Sequence, residues 1–150
     1  MEQHLQCWDS VQSAMKHSAT GFLLSDPYEG ITLDITPVSA PRMTQSDRWK
    51  SRPCVLRYRA FRDELRLKLQ LKRFVLGDAV EMIFYLPMPK SWSKRLKKQM
   101  VGQPMQKRPD TDNLSKAVLD AVMREDGQVY RIHAAKFWAT DGAIRLRNLK

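Results

Sequence analysis

Two short segments of the chain have residue patterns typical of β-strands. Ile31 to Ile35 alternates with β-branched residues, and Pro37 predicts that this strand ends there. Val80 to Leu86 also reads as a strand, with large apolar residues on one face, and it stops at Pro87 and Pro89. These two segments are the first predicted strands.

The segment from Arg57 to Lys72 carries two competing patterns. Apolar residues recur at helical spacing, whereas leucines at positions 65, 67, 69 and 71 alternate with polar residues as in a strand. The segment lacks Gly and Pro and is rich in Arg, Leu, Lys and Glu, all strong helix formers. A helix is therefore predicted.

The second half of the chain predicts two more helices and two more strands. Ser91 is a plausible cap for a helix over Ser93 to Met100, and Leu114 to Met123 has apolar residues at helical spacing. Val129 to Trp138 and Ala143 to Leu149 are β-like, and the Asp-Gly pair at 141–142 between them predicts a hairpin.

The predicted order is strand, helix, strand, helix, helix, strand, strand, which indicates an α/β (α+β) fold: a single compact domain with a mixed β-sheet flanked by helices. The length of 150 residues fits one domain. We expect this domain to span residues 31–150. Residues 1–30 are expected to form an N-terminal appendage, in which Trp8, Val11 and Met15 could line a short helix.

Positive charge is concentrated in the middle of the chain. Residues 41–108 hold eighteen basic and five acidic side chains, a net charge of +13, whereas residues 1–40 carry −4 and residues 109–150 carry +1. A solubilising surface would account for some of this charge. A segment with so large an excess of positive charge favours a polyanion as partner, and nucleic acid is the natural polyanion.

Membrane and secreted classes are disfavoured. No apolar run is long enough to cross a bilayer, and the N-terminus lacks the pattern of a signal peptide. Cys7 and Cys54 are the only cysteines and have no CxxC spacing, so free thiols in a cytoplasmic protein are expected.

The segment Arg108-Pro109-Asp110-Thr111-Asp112-Asn113-Leu114-Ser115-Lys116 carries the candidate chemistry. If the chain is extended before the helix starts, Asp110 and Asp112 point to the same side. Two neighbouring carboxylates repel each other unless a cation neutralises them, and oxygen ligands of this kind suit Mg²⁺ or Mn²⁺.

Within the helix, Asp112, Lys116 and Asp120 follow at intervals of four, which places Lys116 near the acids. Asp126, or its neighbour Glu125, could add a third carboxylate. Such a group suits phosphodiester hydrolysis, in which metal ions generate hydroxide and a lysine helps to hold the phosphate. Taken singly, Asp112 could be a helix cap, Asp110 a turn residue and Lys116 one half of an ordinary ion pair. Their combination favours a catalytic site.

Several motifs resemble those of the RusA-type Holliday junction resolvases of phages and prophages. Lys107 to Leu114, with Lys116 and Leu119-Asp120, looks like the family signature. Glu125 to Val129 is similar to the acidic turn that precedes the next strand in that family, and the segment from Leu86 to Lys94 is also similar to members' sequences. The resemblance runs from about Ile31 to the C-terminus, and the aspartate motif is its most specific part.

The resemblance implies a magnesium-dependent endonuclease that acts as a homodimer on four-way DNA junctions, in recombination and repair, in the cytoplasm of a bacterial host. It implies that Asp110, Asp112 and Asp126 bind the metal and that Lys116 is catalytic. Basic residues assigned to DNA binding are Lys94, Arg95, Lys97 and Lys98 on the predicted helix, Lys107 and Arg108 before the aspartates, and Lys136, where a basic residue recurs on the next strand.

Alternatives remain open on two points, the third metal ligand and the activity. The acidic turn often has paired aspartates in that family, whereas this chain has Glu125 first, so Glu125 and Asp126 both remain candidates for the third ligand. A non-catalytic protein that binds branched nucleic acid, or a nuclease that cuts flaps or RNA, would also fit the basic charge. The complete set of three aspartates and Lys116 argues against the non-catalytic alternative.

Overall fold

The computed structural model describes residues 29–49, 52–123 and 125–150, apart from the side chains of Arg48 and Asp126. The predicted helix around Trp8, Val11 and Met15 lies outside these residues, as does Cys7. Cys54 is an exposed free thiol, as the sequence suggested. None of the described helices is both long and apolar enough to pass through a bilayer.

The described chain follows the predicted order of elements. The strands and α-helices are β1 (Ile31–Leu33), α1 (Pro53–Lys72), β2 (Ala79–Pro87), α2 (Lys94–Met100), α3 (Thr111–Val122), β3 (Arg131–Ala139) and β4 (Ala143–Asn148). Two short 3-10 turns, Gln45–Arg48 and Asp126–Gln128, were not anticipated. The predicted α+β class is therefore confirmed.

The four strands form one mixed sheet in the order β1-β4-β2-β3. β2 and β3 are parallel, and β4 is antiparallel to both β1 and β2. The predicted hairpin between β3 and β4 is therefore wrong, because β2 lies between these strands. Residues 140–142 instead pass the end of β2, where the α-carbon of Gly142 lies so close to Thr36 that an added Cβ would clash with its Oγ1.

The helical interpretation of the ambiguous leucine segment is confirmed by α1. Leu65 and Leu69 are buried with Tyr58 and Phe61, whereas Leu67 is 55 % exposed. Burial thus follows the 3.6-residue period and not the alternation of a strand. The buried face of α1 packs on α3 and β1.

One face of the sheet forms the core with the two longer helices. Val80, Met82 and Phe84 of β2 are fully buried on this face, together with Ile144 and Leu146 of β4. Since side chains alternate along a strand, the intervening residues lie on the opposite face. In the described part of the chain that outer face stays partly open to solvent. Its half-buried apolar residues are Ile83, Tyr85, Ala135, Phe137 and Ala143.

A buried carboxylate anchors the loop that leads into α1. Asp47 accepts hydrogen bonds from the Thr44 backbone N–H at 2.6 Å and from the Arg52 side chain, whose Nε and Nη2 each lie 2.6 Å from a carboxylate oxygen. These bonds, the one from Arg52 foremost, hold the pKa of Asp47 well below its usual range. The paired geometry joins Asp47 to Arg52, the N-cap residue of α1.

Candidate active site

The two central aspartates lie at the start of α3. Asp110 is the N-cap residue in an extended conformation, with φ −73° and ψ 146°, and Asp112 is already inside the first helical turn. The helix therefore begins three residues earlier than Leu114, and the strand alternation used to place the pair together does not apply. Both acids instead occupy a helix N-terminus, where partial positive charge from the backbone favours carboxylates.

Neither carboxylate forms a side-chain hydrogen bond or an ion pair with a described residue. The Asp110 side chain makes no capping hydrogen bond, although its carbonyl accepts the helical bond from the Leu114 N–H at 3.1 Å. Asp112 is exposed and forms no ion pair with a described residue. The structure thus places Asp110, and not Asp112, at the cap position, and it leaves the carboxylate oxygens of both residues without a bonded partner in the described chain.

Lys116 lies one turn after Asp112 on the same helix and is exposed. No ion pair within 4.0 Å joins it to Asp112 or to Asp120 among the described residues. Asp120 is also exposed, and its negative charge adds to burial, the larger cause, in raising the pKa of the Tyr58 hydroxyl. Lys116 is therefore not held by the intrahelical pairing that its spacing allows.

The two candidates for a third acid, Glu125 and Asp126, lie in the connection between α3 and β3. Asp126 begins the 3-10 turn Asp126–Gln128, but its side chain is outside the described set. Glu125 is exposed. Among the described side chains, no three acidic, histidine or cysteine groups form a metal site, and this observation does not include Asp126.

The basic helix α2 is a surface element. None of its seven residues is buried, and Lys94, Arg95 and Lys98 are exposed. Lys97 is half-buried, with its Nζ 3.4 Å from the Lys90 carbonyl oxygen. The helix cap is Ser93, whose Oγ accepts from the Leu96 N–H at 3.2 Å. Ser91 was the wrong cap because it lies within the turn closed by the Trp92 N–H and the Pro89 carbonyl.

The other predicted DNA-binding residues lie just before α3 and on β3. Lys107 and Arg108 are exposed, and the Lys107 Nζ lies 5.9 Å from the ring centroid of Trp92. Lys136 is half-buried and donates to the carbonyl oxygens of Lys107 and Pro109, at 2.6 Å each. Sequence reasoning identified Lys136 as a cation but missed these contacts, which link residues 27 and 29 positions apart.

A comparison with known protein families matches residues 34–147 to Endodeoxyribonuclease RusA. A comparison with curated proteins finds no match. The family match contains every described element from α1 to β3, together with Asp110, Asp112 and Lys116. It covers well over half of the 150 residues, so the chain belongs to the RusA endodeoxyribonuclease family.

Proposed function

We propose that this chain is a magnesium-dependent endonuclease that resolves four-way DNA junctions as a homodimer. The observation that supports this most strongly is the pair of carboxylates at the start of α3, which have no partner among the described residues and lie within the matched region. We further propose that residues 31–150 form the endonuclease domain and residues 1–30 an appendage. Recombination and repair of DNA in a bacterial cytoplasm, from a phage or prophage gene, is the setting that the family resemblance favours.

Asp110 and Asp112 suit a divalent cation because Mg²⁺ takes one or two protein carboxylates and keeps several of its waters. Mn²⁺ accepts the same oxygen ligands. We assign Asp126 as the third carboxylate, with Glu125 as the alternative. When bound, the metal supplies a hydroxide nucleophile near neutral pH and offsets negative charge on the phosphate.

The chain's own residues have separate tasks in this reaction. Asp110 has its backbone fixed by the first helical hydrogen bond, which leaves its carboxylate to hold the metal in one place. Lys116, one turn further along, donates to a phosphate oxygen and stabilises charge that develops as the bond breaks. The exposed cations of α2, with Lys107 and Arg108, hold neighbouring phosphates and bring the scissile bond to the acids.

A dimer follows from the reaction itself, because resolution of a four-way junction needs two symmetric cuts and one chain has one acidic cluster. We place the interface on the outer face of the sheet. On β2 and β3 this face carries apolar residues, with the rings of Tyr85 and Phe137 in contact at 6.4 Å between centroids, and the two longer helices α1 and α3 pack on the other face. Two copies of this face would cover each other across a two-fold axis.

The proposal is tested with Asp112→Asn and, as matched control, Asp63→Asn, an exposed aspartate on α1 outside the aspartate motif. Asp112→Asn should lower junction cleavage at saturating Mg²⁺ by at least about 100-fold, more than the loss of an outer metal-site partner usually costs. Junction binding in EDTA should persist in both variants because the basic surface is unchanged. Near wild-type cleavage by Asp112→Asn would refute the assigned site.

Labelled four-way, flap, linear and RNA substrates distinguish the competing functions. Paired cuts confined to the four-way junction support the proposal. Cuts on flaps or RNA alone would favour the other nuclease activity, and binding without any cut would favour a non-catalytic protein.

A further inference from the structure

The backbone that leads to the aspartates is attached to the edge of the sheet as a strap, here defined as residues 102–109. β3 is an edge strand of the four described strands, and the first part of the strap lies along it. The Gly102 N–H donates to the Trp138 carbonyl, the Trp138 N–H to the Gln103 carbonyl, and the Met105 N–H to the Lys136 carbonyl, at 2.8, 3.0 and 3.1 Å. Met105 is buried, so this half of the strap is fixed by packing as well.

The second half of the strap has no such ladder. Among the described residues, no backbone-to-backbone hydrogen bond outside the helices and strands joins residues 106–109 to the rest of the chain. Pro109 has no N–H with which to make one. The Lys136 side chain provides the hydrogen bonds to this half of the strap. Its ammonium donates to the carbonyls of Lys107 and Pro109, on both sides of Arg108.

We propose that Lys136 is a positioning residue that sets the backbone entering Asp110. A single ammonium that holds two carbonyls fixes the direction of the peptide planes next to Asp110, and charged donors make stronger hydrogen bonds than neutral ones. Its half-buried position beside β2, in register with the buried Phe84, gives the ammonium a rigid base. The attachment of the backbone by Lys136 does not depend on the proposed function. Only its expected effect on metal binding rests on that function.

This role differs from a phosphate contact in a measurable way. Lysine has three donors, and here two are engaged by backbone carbonyls. A residue that neutralised a phosphate would contribute about one to the slope of log affinity against log salt. A residue that only holds the strap would leave that slope unchanged and would change the order of the strap and the affinity for metal.

The test compares Lys136→Met and Lys136→Arg with a control, Arg131→Met, which removes an exposed cation from the start of the same strand. Three quantities are measured: amide hydrogen exchange of residues 106–112, Mn²⁺ affinity without DNA, and junction affinity in EDTA across a range of salt concentrations. Lys136→Met should speed exchange in 106–112 and weaken Mn²⁺ binding about 10- to 100-fold, as loss of outer metal-site partners does. Its salt slope should equal that of the wild type.

Lys136→Arg keeps a charged donor and should recover most of the exchange protection and Mn²⁺ affinity, which a general loss of stability would not allow. If Lys136→Met does not fold, Lys136→Gln retains a neutral N–H donor group without the charge and should give an intermediate result in the same assays. Unchanged exchange with a salt slope lowered by about one would overturn the inference and make Lys136 a phosphate contact. A wild-type protein that binds no Mn²⁺ and cuts no DNA refutes the proposed function instead, and the exchange measurement still decides the role of Lys136.

Discussion

Replacing Lys94 and Lys98 by Gln tests whether α2 follows the DNA backbone. Both side chains are exposed, lie one turn apart on the same helix, and make no hydrogen bond or ion pair with a described residue, whereas Lys97 is half-buried beside Lys90. Each phosphate contact contributes a slope of about 0.9 in log affinity against log salt, so two lost contacts lower the slope by about 1.8. Between about 50 and 200 mM salt, the wild type should therefore lose about 12-fold more affinity than the variant.

The assay is fluorescence anisotropy of a labelled four-way junction in EDTA at several salt concentrations. The matched control is Arg57→Gln with Lys72→Gln, which removes the same charge from exposed positions of α1. The control should shift affinity slightly at all salt concentrations without changing the slope. Equal slopes for the α2 variant, the control and the wild type would refute the reasoning and make α2 a solvated surface.

Three further predictions concern catalysis, assembly and stability. Lys116→Ala should slow cleavage on the order of 100-fold at saturating DNA with a modest loss of binding; weak binding with normal cleavage at saturation would make Lys116 a docking residue only. Phe137→Asp should halve the mass measured by light scattering and leave only singly nicked cruciform plasmid. The control Thr32→Asp, at the exposed edge of the same face, should change neither quantity, and an unchanged mass in Phe137→Asp would place the interface elsewhere. Asp47→Asn should lower the thermal midpoint at pH 7, where the stabilisation that comes with the lowered pKa of Asp47 is fully present. The difference from the wild type should shrink progressively below about pH 4, as the carboxyl is protonated first in the unfolded chain and then in the folded one. A gap that stays constant down to pH 2 would contradict the role of Asp47.

The elements themselves were largely predictable because burial follows the local period. In α1 the leucines satisfied both periods, and helix propensity decided correctly between them. Pairing between strands was not predictable in the same way. The Asp141-Gly142 pair is a sound local turn, but whether β3 and β4 become neighbours depends on where β2 lies, and that is set by contacts more than fifty residues away along the chain.

The candidate site shows the same division. The acids and Lys116 could be recognised from residue type and spacing, since both are properties of one short segment. Their surroundings could not. The helix began at Thr111, so the geometric reason given for the Asp110 and Asp112 pair was wrong, while the attachment of the strap by Lys136 depends on a strand that follows α3 in the chain.

The candidate acids and the basic surface lie on different kinds of helix, which bears on the proposed cleavage of a branched substrate. The acids lie at the start of α3, a helix in which half of the residues are buried, including Leu114, Ala117 and Val118. The cations of α2 project from a helix that buries nothing. Hydrolysis requires its carboxylates to stay within a fraction of an ångström of one geometry, so they benefit from a rigid base. Phosphate contacts tolerate variation because long lysine side chains reach a charge that repeats along every strand. Under the proposed function, the buried base of α3 would hold the reacting phosphate in one position while the cations of α2 contact backbone phosphates of the DNA.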